Sequence, residues 1–245
     1  MKFEGTEVFG FTNAFIGMRL PKNKDYESAK AKSNHVGNMK LSKMLNAEDN
    51  AGHGNPNSKF MRMIHVQTCI SAPLCWWKEF DTYKVGTTRN STSTMHKIQS
   101  FEINEDCFEK NPITDKISCV INIGALEGLR KEYNRLADEI KELSSNLKRE
   151  DGTIDPEVAW QVADKRRVQK AVWYDIIYGL PDSWIQTAMV DLDYTTIRNM
   201  YFWRKDHKQN CWSGKDNMEM VSFCKWVEAL PFAQELILGE DPVEE

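Results

Sequence analysis

No run of apolar residues in this 245-residue chain approaches the ~20 needed to span a bilayer, so no membrane segment is expected. None of the six cysteines (Cys69, Cys75, Cys107, Cys119, Cys211 and Cys224) falls in a Cys-x-x-Cys pair or at zinc-finger spacing from a histidine. That argues against structural zinc and against a disulfide framework, and the thiols read as buried or idle. His53, His65 and His96 lack ligand-like spacing, so no metal is expected. Neither Gly-x-Gly-x-x-Gly nor the Walker pattern occurs, which removes two common phosphate-cradling loops. Excess basic charge is missing too: 32 Lys and Arg against 36 Asp and Glu give a net charge of −4. A general nucleic-acid binder normally carries a basic face. The N-terminus has an acid at position 4 and no basic start followed by an apolar core. It therefore does not read as a signal peptide, and the expected location is the cytoplasm.

What remains is ordinary for a globular chain, 41% hydrophobic and 28% charged, and long enough for one large domain or two small ones. Residues 7–20, rich in Phe, Val and Thr, predict a strand ending at Pro21. A short amphipathic helix is expected over 39–47 and a strand over 59–71, with Pro73 opening a helix that carries Trp76 and Trp77. Leu126, Leu129, Tyr133, Leu136, Ile140, Leu143 and Leu147 step by three and four, a heptad seam. Asp155 then caps a second helix that begins at Pro156. Two such helices joined by a short acidic loop make an antiparallel hairpin. Further helices are expected over 192–206 and up to Pro231, before an acidic, mobile tail at 239–245. The fold class is α/β of the α+β kind: one helix-rich domain over 1–245, with a small, mostly antiparallel sheet. The helical hairpin is inserted at about 119–180.

The stretch "YKVGTTRNSTSTMH" follows the double tryptophan and places six hydroxyl side chains in the eight residues from Thr87 to Thr94. Gly86 suits a tight loop, and Arg89 sits among the hydroxyls. That set fits an anion of phosphate size. A plain capping loop accounts for the same residues.

The order "KFMRMIHVQTCISAPL", eight residues, then "YKVGTTRNSTSTMH" resembles the flavin-dependent thymidylate synthases, most of all a diverged branch common in phages of Gram-positive bacteria. That family has a histidine, a strand, then a helix ending in Arg-His-Arg-x-x-Ser-x-Asn-Glu-x-Ser-x-Arg-Tyr. The resemblance runs loosely over residues 53–96 and again over 190–206. In one register Thr88, Asn90 and Ser93 take the Ser, Asn and second Ser places, and Ser91 replaces the Glu. Met95 and His96 then stand for Arg-Tyr. In the other, shifted by one, Lys84 takes the final Arg of Arg-His-Arg, Thr87 the Ser, Arg89 the Asn and Asn90 the Glu. Neither keeps Arg-His-Arg; Tyr83, Lys84 and Val85 occupy it in the first. "DYTTIRNMYFWRKDH" places Arg204 on the final arginine of a second family patch. Asp193 and Thr195 stand there for its Asn and Arg, and Arg198 lies one turn on. His53 resembles the histidine before the strand.

The resemblance implies FAD as cofactor, with His53, Tyr83, Lys84 and Arg204 holding it. A pyrimidine nucleotide would meet Thr87, Thr88, Arg89, Asn90, Ser91, Ser93 and Arg198. NADPH and methylene-tetrahydrofolate would be co-substrates, and the assembly a cytoplasmic homotetramer, in the host cell if phage-encoded. The family uses no protein nucleophile in this reading: the flavin carries the hydride and the folate the one-carbon unit, while the protein positions and neutralises. Three readings stay open: a dUMP-methylating enzyme, a catalytically degenerate nucleotide- or partner-binding protein of the same fold, and an unrelated helical interaction protein.

Overall fold

The computed structural model describes residues 1–47 and 56–239. His53 and residues 240–245 of the expected tail lie outside the described residues. Strand β1 (Lys2–Phe9) leads into helices α1 (Phe11–Arg19), α2 (Tyr26–Ala31) and α3 (His35–Ala47). A 3-10 segment, Pro56–Met63, precedes β2 (His65–Pro73), which runs straight into α4 (Leu74–Phe80), and β3 (Thr87–Ser91) follows. Next come α5 (Thr94–Lys97), the long α6 (Ile123–Ser145) and α7 (Pro156–Gly179), and β4 (Ile185–Asp193). The chain continues through α8 (Tyr194–Arg204), α9 (Asn210–Ser213) and α10 (Phe223–Glu228). Among the described residues no helix is long and apolar enough to cross a membrane. Two compact units result: Met1–Ser91 with Gln186–Glu245, and Thr92–Ile185.

The first unit holds a four-stranded sheet in the order β1-β2-β4-β3. β1 is antiparallel to β2, and β3 to β4. Between the central strands, Ser71 Oγ meets Thr187 Oγ1 at 2.7 Å and His65 Nδ1 meets Asp191 Oδ1 at 3.2 Å. Those contacts run in opposite senses along the chain, so this pair is antiparallel as well. The α+β class and the small antiparallel sheet are as expected. Alternation buries Val66, Thr68, Ile70 and Ala72 on β2, and Ala188, Val190 and Leu192 on β4. Both strands are nine residues long and pass directly into a helix. Trp76, Trp77 and Phe80 of α4 are buried, as are Tyr194, Ile197 and Met200 of α8. Trp76 stacks on Trp212 at 4.6 Å and on Phe80 at 4.9 Å. Burying a ring of this size is worth roughly 4–6 kcal/mol in gross transfer terms. The double tryptophan is therefore core.

Two expectations are corrected here. Residues 11–19 form α1 rather than a strand: Phe11, Phe15 and Met18 recur at helical spacing and pack into the core with Ala14. The strand is the earlier β1, which ends at Phe9, and Gly10 turns the chain into α1. That glycine has φ 99°, and a Cβ there would lie 2.1 Å from the Met63 carbonyl oxygen. The expected strand over 59–71 is displaced to His65–Pro73, because residues through Met63 turn in the 3-10 segment.

The second unit is built on the α6–α7 hairpin. Asp155 Oδ1 accepts from the Glu157 and Val158 amides at 2.9 and 3.3 Å, and Pro156 takes the first helical position, as the sequence predicts. Leu126, Leu136, Val162 and Ile176 are buried. Leu129, Tyr133, Ile140 and Leu143 are half-buried, and Leu147 lies past the end of α6. Glu127 anchors the preceding chain: it accepts from the Ile103 amide at 2.9 Å and from Arg130 at 2.7 and 2.6 Å. The Arg130 hydrogen bonds hold the Glu127 carboxyl down at about 2, with the Ile103 amide adding to the effect against opposing burial.

A carboxyl depressed on folding contributes stability that is complete above its ordinary 4.5 and is lost as pH falls toward 2. Glu127→Gln is expected to cost about 2 kcal/mol at neutral pH by urea unfolding. The gap to the parent should close as pH is lowered through that window. A gap independent of pH would remove the ion pair from the account.

Candidate functional site

Helix α4 ends in a tight reversal, with the Asp81, Thr82 and Tyr83 amides donating to the Trp77, Glu79 and Phe80 carbonyls at 2.9, 3.2 and 3.0 Å. The chain then presses against the start of α8. The Asp193 amide donates to the Gly86 carbonyl at 3.2 Å, and the Thr196 hydroxyl donates to the Val85 carbonyl at 3.0 Å. Asp193 caps α8 by accepting from the Thr196 amide at 2.8 Å. Gly86 makes this approach possible. Its φ is 74°, and a Cβ would stand 2.1 Å from Asp193 Oδ2 and 2.4 Å from Thr196 Oγ1.

Between the turn and the helix lies a cleft of about 260 Å³, lined by Tyr83, Lys84 and Val85, by Asp193, Thr195 and Asn199, and by Arg62. Thr195 is 8% exposed, and its hydroxyl oxygen is buried without a hydrogen-bond partner. An unmet buried hydroxyl costs about 1–3 kcal/mol, which a ligand donor or acceptor would relieve. Lys84 and Arg62 supply positive charge. Among the described residues no group of three His, Cys, Asp or Glu is placed to hold a metal. Burial pushes the Cys224 thiol up to about 12, so it stays protonated and is no nucleophile.

Two arginines singled out from the sequence turn inward. Arg204 Nη1 donates to Glu79 Oε2 at 2.6 Å and its Nε to the Tyr83 hydroxyl at 2.9 Å. The guanidinium lies 4.8 Å from the Trp212 ring. His207 approaches the same Glu79 oxygen at 3.3 Å. Arg89 Nη1 bonds both Asp81 oxygens at 2.7 Å, its Nη2 bonds Gln186, and it stacks 3.8 Å over Trp77. Trp77 in turn donates to the Gln186 carbonyl at 2.9 Å.

The hydroxyl run is largely strand β3 rather than a loop, so alternate residues face opposite sides. The Thr87 hydroxyl donates to the Tyr83 carbonyl. Thr88, Asn90 and Ser91 are exposed. Ser93 belongs to the second unit and bonds His96 Nδ1 at 2.7 Å. Arg198 is half-buried on α8, 5.8 Å over the Phe202 ring. Tyr83 and Arg204 are brought into direct contact, and Lys84 shares the cleft with Thr195. Sequence reasoning missed Glu79 and Asp81, the carboxylates that claim the arginines. Their only signal was position: two acids at the end of a helix that carries the double tryptophan. The Asp193 cap, three residues before Thr196, was equally readable.

Gly86→Ala is expected to destabilise the chain by about 2–3 kcal/mol, from left-handed strain plus displacement of the α8 cap. Urea unfolding measures it; a change under about 0.5 kcal/mol would mean the turn does not rest on Asp193.

No family model matches the sequence, and no curated protein matches it. Among solved structures, the chain is similar to the flavin-dependent thymidylate synthase ThyX of Helicobacter pylori complexed with FAD and dUMP. One such structure has 11% identity and a TM-score of 0.50, covering 97% of this chain and 98% of that one. A second from the same organism, also with FAD and dUMP, gives 12%, 0.50 and 94% of each. The UMP/dUMP methylase PolB of Streptomyces cacaoi, bound with 5-Br dUMP, gives 11% and 0.47, covering 98% and 96%. The sheet and helices of this chain are thus arranged on the fold of the flavin-dependent thymidylate synthases.

Proposed function

We propose that this chain binds FAD and a pyrimidine nucleotide and methylates dUMP to dTMP, or modifies a related nucleotide, as a diverged phage-type thymidylate-synthase-like enzyme. The observation that carries the reading is the cleft between Tyr83–Val85 and Asp193–Asn199. It unites the two separate patches that resemble the family, in a chain whose fold likeness spans nearly its whole length.

The cleft fits part of the cofactor. At about 260 Å³ it is smaller than the usual range of small-molecule pockets, so it takes one portion of a dinucleotide. Lys84 would neutralise a phosphate, and the Thr195 hydroxyl would meet a ribose or phosphate oxygen. Tyr83, held by Arg204, keeps a phenolic proton to donate. The remainder of the cofactor requires surfaces beyond this cleft, for which the resemblance supplies a neighbouring protomer of a homotetramer. Bound flavin would supply hydride chemistry, with NADPH and methylene-tetrahydrofolate as co-substrates. The chain's own part is to orient and to neutralise.

A second reading, binding without methyl transfer, is favoured by the inward pairing of Arg89 and Arg204. A guanidinium committed to its own carboxylate is not free to stabilise charge on a uracil ring, and losing one such donor typically costs ~3 kcal/mol in the transition state.

Purified protein incubated with FAD and desalted is expected to retain visible flavin absorbance, and Lys84→Glu to weaken retention about tenfold or more. Formation of dTMP with methylene-tetrahydrofolate and NADPH selects the first reading. Flavin retained without dTMP selects the second. Protein that retains no flavin and gains no thermal stability with dUMP defeats both.

A further inference from the structure

Helix α7 carries two seams on opposite sides. One faces α6: Val162 and Ile176 are buried, Lys165 bonds Glu139 at 2.5 Å, and Gln169 donates to the Tyr133 carbonyl at 3.2 Å. The other is Trp160, Asp164, Arg167, Ala171, Tyr174 and Tyr178, which step by four and three and so fall on one stripe about 27 Å long. At 3.6 residues per turn this stripe lies about half a turn away from Val162 and Ile176. It has no cover within the chain. Trp160 is 65% exposed, Tyr178 79%, and Tyr174 and the flanking Val168 about 40% each. A solvated helix face normally carries such side chains singly; here three aromatic rings and a valine share one stripe, with the Tyr174 and Tyr178 rings 5.4 Å apart.

The charges on the stripe say what covers it. Arg167 bonds its own Asp164 at 3.0 Å, while among the described residues Asp175, at the stripe's edge, makes no ion pair. Two carboxylates and a guanidinium among the rings disfavour a lipid surface. A parallel second copy would set Arg167 against Arg167 and Asp164 against Asp164. An antiparallel copy turned about Ala171 removes both clashes. Arg167 then stands opposite the partner's Asp175, Val168 opposite the partner's Tyr174, and Asp164 opposite the partner's Tyr178. Each pairing occurs twice, as a two-fold axis requires. Ala171 meets itself on that axis, where a small side chain lets two helices approach to the usual 8–10 Å. The Tyr178 hydroxyl can donate to the partner's Asp164.

We propose that the outward face of α7 is an antiparallel contact between two copies of this chain, with Ala171 on the two-fold axis. The chain supplies both halves of the charge pattern, so no other partner is called for. The contact belongs to the second unit and does not rest on the flavin reading.

The test is sedimentation equilibrium of the full-length protein without FAD or nucleotide, from about 1 µM to 1 mM. Self-association is expected to be half complete at about 0.1 mM or below. Arg167→Glu and Asp175→Arg should each weaken it about tenfold or more, and the double variant should recover most of the loss because the pair is re-formed with its signs exchanged. Both side chains are exposed, so Tm should hardly move. Under mild oxidation Ala171→Cys should give a disulfide joining two copies through position 171, identified by peptide mass mapping against the parent. A chain that stays monomeric to 1 mM overturns the proposal, and so does a monomer that binds anionic phospholipid vesicles instead. Association that ignores both single variants and yields no link at position 171 places the contact elsewhere and overturns it too. A double variant no better than either single one removes the antiparallel register.

Discussion

Two guanidinium–carboxylate pairs set the geometry of the first unit. Arg204 with Glu79 ties the end of α8 to α4, and Arg89 with Asp81 ties β3 to the residue that caps α4. Each guanidinium lies against an indole, Trp212 or Trp77, which keeps water from that face and strengthens the pair. With their carboxylates open to solvent, these ion pairs are weak evidence of stability and better evidence of orientation. Here they fix where α4 releases the chain, and so where the Tyr83–Gly86 turn meets α8. The cleft is a consequence of that placement.

The same pairs change what the cleft can do. A helix N-terminus attracts anions through its unmet amides and dipole. At α8 that place is taken by the chain's own carboxylate, since Asp193 caps the Thr196 amide and adds negative charge. The arginines that would otherwise draw a phosphate are already answered by Glu79 and Asp81. Positive charge in the cleft therefore comes from Lys84 and Arg62 alone among its lining residues.

The long helices were legible because hydrophobic periodicity and capping agreed: leucines at heptad steps in α6, Asp155-Pro156 at the start of α7. The polar strand β3 was not, because an edge strand with mostly exposed side chains leaves no apolar alternation to read. Helix α1 was missed for the opposite reason. Its Phe and Thr content argued for a strand, while burial on one face decided the outcome. At the site, Tyr83, Lys84 and Arg204 were visible from the resemblance, and the first and last of these do meet. What no single segment could show is which carboxylates claim which arginines: Glu79 and Arg204 lie 125 positions apart in the chain. That long-range partner gives Arg204 a structural role that its own segment does not announce.

The inward commitment of Arg204 is therefore the point to test, by a double-mutant cycle with Arg204→Met and Glu79→Gln, read by urea unfolding of ligand-free protein. The account requires a coupling of about 1 kcal/mol or more between the two positions. A coupling within about 0.3 kcal/mol of zero would mean the guanidinium is not held by Glu79, and would return it to the ligand.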